Sequence, residues 1–169
     1  LHDILLLLSC DHLGVSKLIS AGNKLMLNEN DFLEYLISDP ATGIIGLYLE
    51  DIKDGRHLAH LAAATAKPVI VLKANESTGS SQIAQLHTAS LAGDDLLADN
   101  LLRQAGIHRV HSLDEMINTM KIFSLPSMRG QRLAVIGRSG GHAVMAADAV
   151  YRHGFKLAKL SQDIFDLLG

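Results

Sequence analysis

Short apolar runs alternate along this chain with longer stretches in which apolar side chains return every three or four positions. The clearest short runs are Ile44-Ile45-Gly46-Leu47-Tyr48-Leu49, set off by Pro40 and Gly43, and Pro68-Val69-Ile70-Val71-Leu72-Lys73, opened by its own proline. Both are predicted as strands, and residues 17–20 and 107–110 as two more. Helices are expected between them. Residues 3–13 form an apolar segment ending at Gly14, Asn30-Asp31 can cap a helix to Ile37, and Asp54 can cap one through Ala64 with Leu58, Leu61 and Ala62 on its apolar side. Asp94-Asp95 load negative charge onto the start of a helix that runs to Gln104 and stops at Gly106, and a last helix covers residues 112–123.

Strands alternating with helices of about three turns imply an α/β fold, a parallel sheet with helices on both faces. Residues 1–125 are read as one such domain. Pro126-Ser127-Met128-Arg129-Gly130 reads as a linker to a second unit, 126–169. That unit has a strand over 132–137, the glycine-rich turn Arg138-Ser139-Gly140-Gly141-His142, a helix over 143–153 stopped by Gly154, and a strand near 156–160.

Composition narrows the function classes. With 169 residues, a formal charge of -3 and 4% aromatics, the chain has neither a basic stripe nor a stacking platform, so nucleic acid is not an expected partner. The longest aliphatic run, Ile4 to Leu8, is far short of the roughly 20 residues that span a bilayer, and no signal segment opens the chain. A cytoplasmic protein without membrane contact is expected. Cys10, in an apolar helical segment, is read as an inert core thiol. Nine histidines include the pairs His57/His60 and His108/His111, but no acidic or Cys cluster completes a ligand set, so no metal is assigned.

One segment suggests chemistry. Leu86-His87-Thr88-Ala89-Ser90-Leu91-Ala92-Gly93 follows the run that starts at Pro68, beyond the carboxyl end of a buried parallel strand, where open α/β sheets place ligands. Imidazole is nucleophilic near neutral pH, and a carboxylate on one ring nitrogen leaves the other free to attack.

Four motifs together resemble those of the NDP-forming acyl-CoA synthetases, which include ADP-forming acetyl-CoA synthetase and, more distantly, succinyl-CoA synthetase. Ser20-Ala21-Gly22-Asn23-Lys24 is similar to the family's S-x-G-N-K turn, and residues 47–56 to its L-Y-L-E-x-I-K-D-G-R segment. Residues 68–74 match its P-V-I-V-L-K-A strand, and His87 to Gly93 its H-T-G-S-L-A-G loop, with Ala89 where glycine is usual. The turn at 138–143 resembles the family's N-A-G-G-P-G element through Gly140 and Gly141.

The resemblance implies a flavodoxin-like, succinyl-CoA synthetase-like domain whose first strand is missing from this fragment. It makes His87 the phosphorylated histidine, Glu50 the carboxylate that orients its ring, and Ser139, Gly140 and Gly141 a phosphate-binding helix end. It implies an acid–CoA ligase that interconverts acyl-CoA, phosphate and NDP with the acid, CoA and NTP, expected to be inactive as an isolated fragment. CoA, Mg-ATP or ADP, and phosphate would serve the complete enzyme, with none bound within the fragment. Its partners would be CoA-binding and ATP-grasp domains or subunits. The gap left by the first strand is expected to be filled by the strand at 132–137, within one chain or by exchange in a homodimer. Two other functions stay open: a non-catalytic acyl-CoA- or nucleotide-sensing module of a protein acetyltransferase, and a structural assembly domain.

Overall fold

The structure, a computed structural model, describes residues 2–75 and 95–168. It divides into two units, Leu1–Leu125 and Pro126–Gly169. In the first, α1 (His2–Cys10) and α2 (Glu29–Ser38) precede β1 (Ile45–Leu49), α3 (Gly55–Ala63) and β2 (Val69–Lys73). α4 (Asp95–Gln104), β3 (His108–Val110) and α5 (Leu113–Ser124) complete it.

The three strands form one parallel sheet in the order β1-β2-β3, with Ile45 opposite Val69, Leu49 opposite Lys73, and Ile70 opposite His108. β2 is central and all five of its residues are buried, as a strand covered on both faces must be. Ile45, Leu47, Leu49, Val69 and Val71 pack on one face with Leu33 of α2, Leu58 and Ala62 of α3 and Leu102 of α4. Ile70, Leu72 and Val110 pack on the other with Met116 of α5. The expected α/β fold with helices on both faces is therefore present.

Local chemistry explains the helix ends. Asp54 accepts from His57 N–H at 3.0 Å and Ser112 from Glu115 N–H at 3.1 Å, each occupying an orphan donor of the first turn. α4 ends at Gly106, whose φ of +71° lets Ile107 N–H return to Leu102 O at 2.9 Å.

Several expectations need correction. α2 is capped by Asn28, not Asn30-Asp31. Asn28 accepts from Asn30 N–H, while Asp31 reaches back to Asn28 N–H at 2.8 Å, so Asp31 serves as the third helical residue of a capping box. α1 stops short of Leu13 because His12 takes φ +56° and Leu13 N–H bonds to Leu8 O. Cys10 is exposed rather than in the core, since of the helix's apolar residues only Leu8 is buried. Residues 17–20 form no strand. Ser16 Oγ lies 2.9 Å from Thr42 Oγ1 and Lys17 Nζ donates to Asp39 at 2.6 Å, so side chains tie this segment to residues 39–42 instead of a ladder.

β1 consequently ends the sheet. Ile45 N–H bonds to Pro68 O, and Leu49 O accepts from Ala74 N–H, so in the alternation of a parallel ladder Gly46 and Tyr48 turn their backbone groups away from β2. Among the described residues no strand meets them. A groove of about 840 Å³ runs along this edge, lined by Ile4, Leu8, Leu13, Met116 and Met120 among others. A Cβ at position 46 would press on the Met116 and Met120 methyl groups, the flexible ends of those side chains, which would have to shift to admit it.

In the second unit β4 (Arg132–Leu133) pairs in parallel with β5 (Lys156–Leu157), followed through the chain by α6 (Gly140–Arg152) before β5 and α7 (Gln162–Leu168) after it. Both strands are shorter than expected. β4 takes β5 as its ladder partner, in a two-stranded sheet of its own, and not β1 as expected.

Candidate functional site

Parallel pairing brings the carboxyl ends of β1 and β2 side by side at Leu49 and Lys73. Glu50 follows directly. Its backbone is held from two sides: Ala74 N–H donates to Leu49 O at 2.8 Å, and Asn75 Nδ2 to Glu50 O at 3.3 Å. Asn75 reaches there with φ +62°, a left-handed conformation that Asn tolerates better than most residues.

The turn after Glu50 is fixed by charge. Lys24 Nζ lies 2.5 Å from Asp51 Oδ1, 2.7 Å from Asp51 O and 2.9 Å from Glu29 Oε2. Glu29, 3% exposed, also accepts Lys53 N–H through Oε1 at 2.5 Å, and Lys53 Nζ reaches Asp51 Oδ2 at 2.6 Å. Burial pushes the Asp51 carboxyl up, but Lys24 and Lys53 outweigh it and hold the group below the usual carboxylate range. Asp51 in turn raises Lys53. Asn30 Nδ2 closes the turn by donating to Asp54 O at 3.0 Å. Amid these engaged groups the half-buried Glu50 carboxylate has no hydrogen bond or ion pair among the described residues.

A second cluster stands where the chain returns to the sheet. Asp95, the first residue of α4, accepts from Arg109 Nη2 through both carboxylate oxygens, at 2.7 and 2.9 Å, and Arg109 Nη1 lies 3.4 Å from Asp99. Lys73, 3% exposed, donates to Ala74 O at 2.9 Å and lies 3.7 Å from Asp95. Asn75 and Asp95, the residues that border 76–94, are therefore each held to neighbours in the sheet or just beyond its strands.

His87 and the rest of its motif, Ala89 included, lie outside the described residues. Ser139, Gly140 and Gly141 belong to the second unit, where Ser139 caps α6 without a side-chain hydrogen bond. A Cβ at Gly140 would meet nothing within 4 Å, so close packing does not require this glycine. Among the described residues no three His, Cys, Asp or Glu side chains converge on a metal position, and no helix is long and apolar enough to cross a membrane. Sequence reasoning missed Glu29 and Asn75 as holders of the Glu50 turn, although Lys24, Asp51 and Lys53 stand inside the quoted motifs.

Residues 2–123 match the model of the succinyl-CoA ligase like flavodoxin domain. The chain belongs to that family. An ADP-forming acetate–CoA ligase II of Archaeoglobus fulgidus is 39% identical over 155 residues, 91% of this chain and 23% of that one. The alpha subunit of an ADP-forming acetate–CoA ligase II of Pyrococcus furiosus is 37% identical over 160 residues, 94% of this chain and 35% of that subunit. Among solved structures, a dinucleotide-forming acetyl-coenzyme A synthetase 1 of Ca. Korarchaeum cryptofilum, in complex with phosphate and ADP, superposes with a TM-score of 0.76 at 31% identity, covering 94% of this chain and 35% of that chain. The chain thus spans about a quarter to a third of the length of these relatives, and its homology to ADP-forming acyl-CoA ligases rests on that portion.

Proposed function

We propose that this chain is the phosphohistidine-bearing part of an NDP-forming acyl-CoA synthetase, with His87 as phosphoryl carrier and Glu50 as its carboxylate partner. The observation that carries the reading is the Glu50 carboxylate at the carboxyl end of β1, uncommitted among the described residues, in a turn held through Asp51, Lys53 and the Glu50 carbonyl. Asn75 ties that turn to the start of the segment holding His87.

In this mechanism acyl transfer from CoA to phosphate gives acyl phosphate and releases CoA. An unprotonated ring nitrogen of His87 attacks phosphorus, the P–O bond to the acyl group breaks, and the acid leaves. A terminal oxygen of NDP then takes the phosphoryl group as the P–N bond breaks, giving NTP and free His87. Glu50 accepts the hydrogen of the other ring nitrogen and stabilises the charge that the ring acquires. The amino end of α6 at Ser139, Gly140 and Gly141 supplies backbone N–H groups for a phosphate. Its glycines are free of packing duty, which supports that role. CoA-binding and ATP-grasp domains or subunits would complete the enzyme in the cytoplasm.

The test is intact-mass measurement of the folded chain and of His87→Asn, each supplied with acetyl phosphate or with Mg-ATP and an ATP-grasp subunit. One phosphate that mild acid removes, and that the variant never gains, is the expected result. A folded chain that gains none from either donor overturns the proposal and favours a sensing or structural module.

A further inference from the structure

We infer that Lys24 is a positioning residue for Glu50, acting through Asp51. The inference rests on the reading of Glu50 as the partner of His87. Lys24 adopts φ +53°, a backbone conformation that side chains other than Gly, Asn and Asp rarely take, and its ammonium group is the hub of the cluster at the end of β1. Its three hydrogens match three acceptors: Glu29 Oε2, Asp51 Oδ1 and Asp51 O. The last of these is the carbonyl one residue beyond Glu50, while the carbonyl of Glu50 itself is held by Asn75. Lys24 and Asn75 thus fix successive peptide units, and the Glu50 side chain between them has no partner among the described residues.

Stability alone explains this cluster poorly. Desolvating Lys24, Glu29 and Asp51 offsets most of their mutual attraction, and well-packed apolar residues generally serve a fold as well. What charged groups add is direction: Lys24, Glu29, Asp51 and Lys53 hold one another in a closed ring spanning α2, the turn before it and the turn after β1. Around bound metals, partners that orient a ligand cost about 10–100-fold when removed, and a loss of that order is expected for a group that orients Glu50. Lys24 also neutralises Asp51, so the carboxylate beside Glu50 is not a competing partner for a protonated imidazole.

The experiment compares the initial rate of acid-labile phosphate gain in the wild-type chain, Lys24→Met, Lys24→Arg, Glu50→Gln and the Lys24→Met/Glu50→Gln double variant, under whichever donor condition phosphorylates the wild type. Lys24→Met is expected to lose at least about tenfold in rate. Lys24→Arg should recover most of it. The double variant should be no slower than Glu50→Gln, because Lys24 acts only through Glu50. Asp51→Ala, which leaves the Lys24–Glu29 pair intact, is the second route if Lys24→Met does not fold, and the same non-additivity with Glu50→Gln is expected of it. Additive losses, or a Lys24→Met rate equal to wild type, overturn the inference while leaving the function proposal standing. A wild-type chain that takes no phosphate removes the function proposal itself, and this inference with it.

Discussion

The two units are both built of strand, turn and helix, yet they differ in what they bury and in how their turns are held. Among the described residues, every buried apolar side chain except Val150 belongs to the first unit, from Leu8 to Ile117. In the second, Ile136, Val144, Met145 and Tyr151 are all exposed. The turns follow the same division. The turn after β1 is locked by Lys24, Glu29, Asn30 and Asn75, whereas the turn entering α6 has a cap residue with no side-chain bond and glycines at which a Cβ would meet no close contact. A carboxylate that must meet a ring in one orientation needs a rigid mount. Backbone N–H groups that receive an anion need mainly to be reachable, and an open helix end suffices.

That contrast can be broken from either side. Leu33→Ala, at a fully buried position of the first core, is expected to destabilise the chain by about 2–5 kcal/mol, read from the urea midpoint of the far-ultraviolet signal. Val150→Ala, which shortens the one buried apolar side chain among the described residues of the second unit, should cost less, about 1–2 kcal/mol. Equal losses would remove the distinction between the units.

The caps sharpen the comparison. Ser112→Ala forfeits its bond to Glu115 N–H and is expected to cost about 1 kcal/mol. Ser139→Ala, with no side-chain bond to lose, should cost a few tenths of a kcal/mol at most. Thermal melts of the two variants check this, and a comparable fall in both would mean that Ser139 holds its turn after all.

A further expected effect is electrostatic. Lys17 and Thr42 hold the Asp39 carboxyl at about 2, below its ordinary value of 3.8, while Asp39 raises Lys17. Because the folded value is the lower one, the unfolded chain binds the extra proton. The stabilisation is therefore present above about pH 4 and is lost as pH falls toward 2. Melting temperatures of the wild type and Asp39→Asn should converge over that interval. A difference that is constant from pH 5 to 2 would rule out this linkage.

Much of the first unit was legible in the sequence because its signals are local. Proline or glycine before an apolar run announced β1 and β2, and Asp54 and Ser112 announced helix starts. What failed was set by distant partners. Residues 17–20 have strand-like composition, but a strand needs a neighbour's ladder, and their anchors are Asp39 and Thr42. Cys10 sits in an apolar sequence that the fold leaves exposed. At the candidate site Glu50 stood out through its motif, whereas its mount joins positions 24, 29, 51, 53 and 75, a set that no local period connects.

The most direct measurement is an NMR titration of the His87 imidazole in the wild-type chain and in Glu50→Gln. If Glu50 partners the ring, the His87 pKa should stand above the unperturbed ~6.5 and fall by about one unit in the variant. An identical titration in both chains would contradict the pairing on which the phosphoryl-carrier function is built.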